Sequence, residues 1–267
     1  MIYIACALHC EAKPLIEFYK LKLDRTAVYP IFSNEFMSLV VTGMGKLVTA
    51  AAISYLYAHS KEVKNAAWLN IGIAGHASHE VGTLLNIAKI TDSNTGQNFY
   101  PARLYGVKGI SSILTTVEQY NSFYPDGMTL DMEAAAFMSV VQKFTLLDMV
   151  QILKVVSDNQ SHSTEEINKS FVSDIIQKNL DGIDETIQVL SSRQTEFAKI
   201  NQYDLFDTID FDRWHFSQYQ QKELEKLLKK INALGISISA ESLEPCKDGK
   251  SVLAYLQQRA GEKTIEF

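Results

Sequence analysis

The chain has 267 residues, of which 46% are hydrophobic and 21% charged, and a formal net charge of -6 at pH 7. That length suits one large domain with an appendage, and the ordinary composition excludes a low-complexity or disordered chain. The acidic balance argues against a nucleic-acid partner, and no apolar run approaches the roughly 20 residues of a membrane span. Three cysteines without a CxxC pattern suggest neither a disulfide framework nor a zinc knuckle and fit a reducing, cytoplasmic setting.

Ile2 to Leu8 reads as a buried strand rather than a signal peptide, because no basic stretch precedes it and charge follows at once. A helix is expected from Glu11 to Lys20, with Leu15, Ile16 and Tyr19 at helical spacing and Pro14 in its first turn. Phe36 to Val41 reads as a strand ending in Thr42-Gly43-Met44-Gly45-Lys46, and an Ala-rich helix follows from about Leu47 to His59. A third strand, Ala67 to Ile71, is closed by a turn at Gly72-Ile73-Ala74-Gly75. Further strands are expected at Leu84 to Ile90, Ile110 to Thr116 and Val150 to Val156, the last dominated by β-branched residues. A helix spans Asp131 to Phe144, and a long one runs from a capping box at Ser163 and Glu166 to about Leu190. Alternating strands and helices argue for an α/β layered domain with a parallel or mixed sheet.

From Ser191 the chain turns polar and Asp-rich as far as Arg213. Ser217 and Gln220 then form a second capping box, and Leu224, Leu227, Leu228, Ile231 and Leu234 make an apolar stripe that Gly235 terminates. A last helix is expected from Gly249 to Ala260. The expected organisation is a domain over 1–190 and a helical extension over 191–267, packed on that domain or on a partner chain.

Several strand ends carry residues able to do chemistry, where ligands of α/β sheets gather. Glu11 follows the first strand, Ser157 and Asp158 follow the late one, and Glu133 opens a helix in Leu130-Asp131-Met132-Glu133-Ala134. Each also has an ordinary reading: Glu11 and Glu133 favour helix starts, Asp158 a turn, and GIAG a simple bend. His76 and His79 read as a surface loop rather than a metal site, since no further ligand cluster accompanies them, and Cys10 as a small apolar residue rather than a nucleophile.

Taken in order, ALHCEAKPL, TGMGK, NIGIAG, LDMEAAAF and KVVSDN resemble the purine and uridine phosphorylase superfamily, and most of all its methylthioadenosine/S-adenosylhomocysteine nucleosidases. The resemblance implies a three-layer α/β/α fold with a central mixed sheet over residues 1–190. It implies that Glu11 activates water, Met132 packs under the ribose, Glu133 accepts hydrogen bonds from the ribose hydroxyls, and Asp158, positioned by Ser157, protonates the purine leaving group. Ala74 and Gly75 would line the site. A nucleosidase, a homodimer, and neither metal nor organic cofactor are what it implies. The chemistry suits these groups, because breaking an N-glycosidic bond puts positive charge on the sugar and negative charge on the base.

The departures are as informative. The phosphorylases' Gly-Asp-Pro-x-Arg phosphate loop is replaced by Ala7-Leu8-His9-Cys10-Glu11, which favours hydrolysis, because a carboxylate repels phosphate. Ile73 stands where the family usually carries a hydroxyl, and His76 replaces a second glycine. The stretch between Asn98 and Leu130 is shortened, leaving Phe99, Tyr100, Tyr105, Tyr120, Phe123 and Tyr124 as candidates to stack on the base. A phosphate-dependent phosphorylase and a non-catalytic nucleoside-binding protein are the alternatives on the same scaffold.

Overall fold

The structure, a computed structural model, describes residues 1–60, 66–119, 127–162, 167–200, 209–210 and 212–262, apart from the side chains of 198–200 and 262. It forms two compact units, Met1–Thr195 and Glu196–Phe267.

The first unit is built on a ten-stranded mixed sheet. β1 (Ile2–Cys6) lies parallel between β4 (Met37–Val41) and β5 (Ala67–His76). β2 (Lys22–Leu23) and β3 (Ile31–Ser33) extend that edge as antiparallel strands. Beyond β5 the sheet curls round. β5 pairs with β10 (Val150–Asp158) in parallel, and β10 pairs antiparallel with β6 (Leu84–Asp92). β6 pairs with β8 (Ile110–Thr116), and β7 (Asn98–Phe99) flanks β6. β8 pairs with β9 (Met128–Asp131), which returns to β5. Five strands therefore close a small barrel, a detail that strand periodicity alone does not carry, because closure is set by long-range register.

Helices cover both faces. α2 (Lys46–His59) and α3 (Ala134–Val141) pack on each other and bury Ala52, Ile53, Leu56 and Phe137 with Tyr3 and Ala5 of β1. Ile2, Ile4 and Cys6, which alternate with those two strand residues, are buried on the other side, where α1 (His9–Phe18) packs on β1 and on α4 (Lys169–Lys178). This is the mixed-sheet α/β/α architecture expected from the sequence.

Some boundaries differ from that reading. α1 begins at His9, so Pro14 sits in its second turn and forgoes one ladder hydrogen bond. The single helix expected from Ser163 to about Leu190 is, among the described residues, two helices. Asn168 caps α4 by accepting from the Phe171 N–H, and Asn179 separates α4 from α5 (Leu180–Ile200). The Asn179 amide spans the Ile175 and Gly82 carbonyls, which ties the break to the barrel. The Ser163–Glu166 capping box lies outside the described residues. The largest difference is at GIAG, which continues strand β5 rather than turning, because β10 supplies a ladder partner for each of its residues.

The second unit has its own apolar core. α6 (Gln218–Ala233) starts at the expected capping box: Ser217 accepts from the Gln220 N–H and the Gln220 side chain accepts from the Ser217 N–H. Leu224, Leu228 and Ile231 pack against α8 (Gly249–Glu262) and the short α7 (Ala240–Leu243), with Trp214 beneath. Leu224, Leu228 and Ile231 of the stripe are thus buried within their own unit, and Leu227 and Leu234 are partly covered.

Candidate active site

A cavity of about 190 Å³ opens at the carboxyl ends of β1, β5 and β10. Its walls include Glu11, Ala74, Gly75, Met132, Glu133, Ser157 and Asp158. Four separate stretches of sequence therefore supply these residues, and all seven residues expected at the site meet there.

Glu11 is buried at the third position of α1. Its Oε2 accepts from the Leu8 N–H at 2.7 Å, a helix-start contact, while Oε1 accepts from the Ile73 N–H at 2.8 Å. The helix-start role and the site role are thus the same geometry. The backbone of residue 73 holds this carboxylate without any hydroxyl from its side chain. A carboxylate offers about four acceptor sites, so two donated hydrogen bonds leave capacity for a water. Burial raises the Glu11 pKa above the ordinary range, and the backbone of Ile73, Leu8 and Ala7 together with Lys154 acts against that rise.

Gly72 makes this approach possible. A Cβ there would sit 2.9 Å from Glu11 Oε1 and 3.4 Å from Lys154 Nζ. Gly45 matters for another reason. Its φ of 101° belongs to a region that L side chains rarely adopt, and it aims its N–H at Glu133 Oε1, 2.8 Å away.

Glu133 immediately precedes α3 and is buried. Its pKa is pushed up to about 7, first by burial and then by the neighbouring Asp131. Ser157 Oγ donates to the Asp158 carboxylate and also lies 3.3 Å from the Ala74 carbonyl, so Asp158 is oriented by its own neighbour at the end of β10.

Two site-supporting residues escaped the sequence reading. Lys154 is fully buried in β10, and its Nζ lies 2.9 Å from Asp131 Oδ2. Burial works against its charge, but Asp131 and Glu133 outweigh burial and hold the pKa above its ordinary value. Asp131 also accepts from Thr116 Oγ1 at 2.7 Å and caps α3 through the Ala134 N–H at 2.8 Å. A signal existed: a lysine inside the run Val150–Asp158, otherwise reading as a strand buried on both faces, demands a buried partner.

The aromatic candidates fare differently. Phe99 is in the barrel-side core and Tyr100 is exposed. Tyr105 lines a separate surface groove, and Tyr120, Phe123 and Tyr124 lie outside the described residues. Among the described residues the cavity walls are aliphatic, with Leu8, Ile73, Leu130 and Ile167. His76, expected in a surface loop, is buried at the end of β5, where its Nδ1 accepts from the Ser78 and His79 N–H groups. Cys10 is half-buried, and burial and then Glu11 raise its pKa, which disfavours the thiolate.

No protein-family model matches the chain, and no curated protein matches it in sequence. Solved structures do match it in three dimensions. The 5′-methylthioadenosine/S-adenosylhomocysteine nucleosidase of S. pneumoniae, solved with a transition-state inhibitor, aligns with a TM-score of 0.58 at 17% identity, over 71% of this chain and 99% of that one. The corresponding nucleosidase of Colwellia psychrerythraea, in complex with adenine, aligns at 0.59 and 17%, over 71% and 95%. That of Helicobacter pylori aligns at 0.58 and 11%, over 70% and 97%. The fold is the one these nucleosidases share. At such identities the likeness carries the fold, and the chemistry has to be argued from the cavity itself.

Proposed function

We propose that the protein is a nucleosidase that hydrolyses the N-glycosidic bond of a purine-type nucleoside. The observation that carries this reading is the convergence of Glu11, Glu133 and Asp158 on one cavity whose described walls hold no lysine or arginine. The nearby buried cation, Lys154, is paired with Asp131. An anionic, largely apolar pocket favours a cationic ribosyl transition state and repels phosphate. This is why hydrolysis is preferred to phosphorolysis.

In the proposed reaction Glu11 orients a water and accepts its proton as the oxygen bonds to C1′. The C1′–N9 bond breaks, its electrons pass to the base, and Asp158 donates a proton at N7. Glu133 accepts hydrogen bonds from the ribose 2′- and 3′-hydroxyls, Met132 packs under the sugar, and Ala74 and Gly75 line the cleft. The products are a free base and a free pentose derivative, and the scheme calls on no metal or organic cofactor. The names of the structural neighbours make 5′-substituted adenosines the first substrates to test.

A homodimer is proposed as the working state. Met44, Leu47 and Val48 expose 62%, 84% and 40% of their surfaces at the start of α2, and Met44 also lines the cavity, so a partner there would seal its rim. The three free cysteines suit a cytoplasmic setting, and no described helix is long and apolar enough to cross a membrane. Residues 191–267 are proposed as a helical extension of the catalytic domain.

The deciding experiment incubates the protein with methylthioadenosine, S-adenosylhomocysteine, inosine, adenosine and uridine, with and without phosphate, and chromatographs for free base. Phosphate-independent release that falls by about 10²-fold or more in Glu133→Gln is expected. Release only with phosphate would make it a phosphorylase, and binding without release a nucleoside-binding protein.

A further inference from the structure

Beside the cavity, outside the groups assigned above, lies an ion cluster in which Lys46 and Asp92 are largely covered and Glu118 is exposed. Lys46, the first residue of α2, places its Nζ 3.0 and 3.2 Å from the two oxygens of Asp92 and 2.7 Å from Glu118 Oε1. The Lys46 and Asp92 side chains are 17% and 15% exposed, unlike an ordinary solvated surface pair. Asp92 ends β6, and its Oδ1 also accepts from the Asn94 and Thr95 N–H groups. Asn94 donates to Glu118, and the Val117 N–H, one residue before Glu118, donates to the Asp131 carbonyl at the end of β9. The cluster thus ties the start of α2 to the ends of β6, β8 and β9.

Next to Lys46 in the chain is Gly45, whose N–H donates to Glu133 Oε1. Its positive φ is tolerated only because glycine has no Cβ, and that same freedom leaves the peptide easy to rotate unless its neighbours hold it. The Gly45 carbonyl accepts the first bond of α2, from the Thr49 N–H. The peptide joining Gly45 to Lys46 is therefore held by α2, and a clamped Lys46 restricts the Gly45 backbone angles that aim its N–H at Glu133.

We infer that Lys46 is a positioning residue for Glu133: clamped by Asp92 and Glu118, it locks the Gly45 N–H onto one carboxylate oxygen and sets how Glu133 faces the ribose hydroxyls. The ribose part of this inference rests on the nucleosidase reading. The Gly45–Glu133 part does not. Burial acts against the Lys46 charge, but the hydrogen bonds to Glu118 and Asp92 outweigh it and keep the ammonium in place. Around Glu133, burial and the Asp131 and Glu11 carboxylates raise its pKa, whereas Lys154 and the Gly45 N–H lower it. Losing the Gly45 donor therefore moves the Glu133 titration upward.

The test uses the full chain, wild type and with Lys46→Met, Lys46→Arg or Glu118→Gln, labelled for nuclear magnetic resonance at glycine nitrogen and glutamate carboxyl carbon. In Lys46→Met the Gly45 amide should exchange about tenfold faster, as when one protecting hydrogen bond is weakened. The Glu133 carboxyl should titrate at higher pH. Lys46→Arg, whose fork can grip both Asp92 oxygens, should restore both signals. Unchanged exchange and titration in folded Lys46→Met would overturn the inference. If Lys46→Met does not fold, Glu118→Gln should shift both signals the same way by less, and no shift there would overturn it equally. Where base release is measurable, Lys46→Met should lower kcat/KM about tenfold on a ribonucleoside but less than about twofold in a Glu133→Gln background, because both changes act through one carboxylate. Additive losses would overturn the coupling. No base release by the wild type would refute the nucleosidase reading while leaving the two resonance signals to decide the role of Lys46.

Discussion

The two units bury different things. Every buried polar or charged side chain among the described residues belongs to the first unit, including Glu11, Asp131, Glu133, Lys154 and Asp158. The core of the second unit, around Trp214, Leu224, Leu228 and Leu256, is apolar. Burying ionisable groups costs stability unless each is paired or hydrogen-bonded, whereas apolar burial stabilises by itself. The second core is explained by folding alone. The first has a strip that folding alone does not require; its carboxylates Glu11, Asp131, Glu133 and Asp158 line the cavity, and Lys154 pairs with Asp131. This contrast marks the cavity as the candidate site without reference to any other protein.

The contrast can be broken or sharpened in steps. The largest effect is expected on turnover. Asp158→Asn or Glu11→Gln should each reduce base release by about 10²–10⁴-fold, the usual contribution of a positioned acid or base, while circular dichroism stays native. Residual activity within tenfold of wild type would remove either residue from the mechanism. Next comes Lys154→Met, which strands the Asp131 carboxylate and should cost about 3–5 kcal/mol in urea unfolding. A change below about 1 kcal/mol would mean the pair is not sealed from solvent.

In the second unit Leu228→Ala should cost about 2–5 kcal/mol and leave base release unchanged. The two tryptophans, Trp68 in the first unit and Trp214 in the second, are both buried, and single Trp→Phe variants would assign the fluorescence change to one unit. Loss of the Trp68 signal at the same urea concentration would show that the units unfold together.

The pH dependence separates the units again. Glu133 has an ordinary value of 4.5 and titrates near 7 in the folded chain. The folded state therefore binds more protons between those values than the unfolded state does. The stabilisation this provides is present below about pH 4.5 and is lost as pH rises through about 7, roughly 1–3 kcal/mol in all. The first unit should weaken between pH 5 and 8, and Glu133→Gln should flatten that slope, as read from urea midpoints. Ribose binding needs the carboxylate as acceptor, so kcat/KM should rise over the same interval. The smallest effect is Gly72→Ala, whose Cβ would press on Glu11 Oε1. It should lower kcat about tenfold, equivalent to about 1.4 kcal/mol, at little cost in stability.

Much of this is legible in the sequence. The residues of β8 matched the expected strand end to end, and the Ser217–Gln220 capping box formed as read, because both rest on local pattern and local hydrogen bonding. GIAG was misjudged because glycines read as turns unless a partner strand is known, and β10 is about eighty residues away. Lys154 was passed over because its partner Asp131 is distant in the chain and the surrounding strand looked uniformly apolar.

Sequence by itself determined the alternation of strands and helices and the kinds of residue available for chemistry, since these follow from periodicity, capping and side-chain type. Tertiary structure alone decided three things. It closed five strands into a barrel, it brought Glu11, Glu133 and Asp158 to one cavity, and it gave each carboxylate its donor from Ile73, Gly45 or Ser157. Those outcomes depend on register and burial between segments far apart in the chain, and a carboxylate's proton affinity is set by what surrounds it in space.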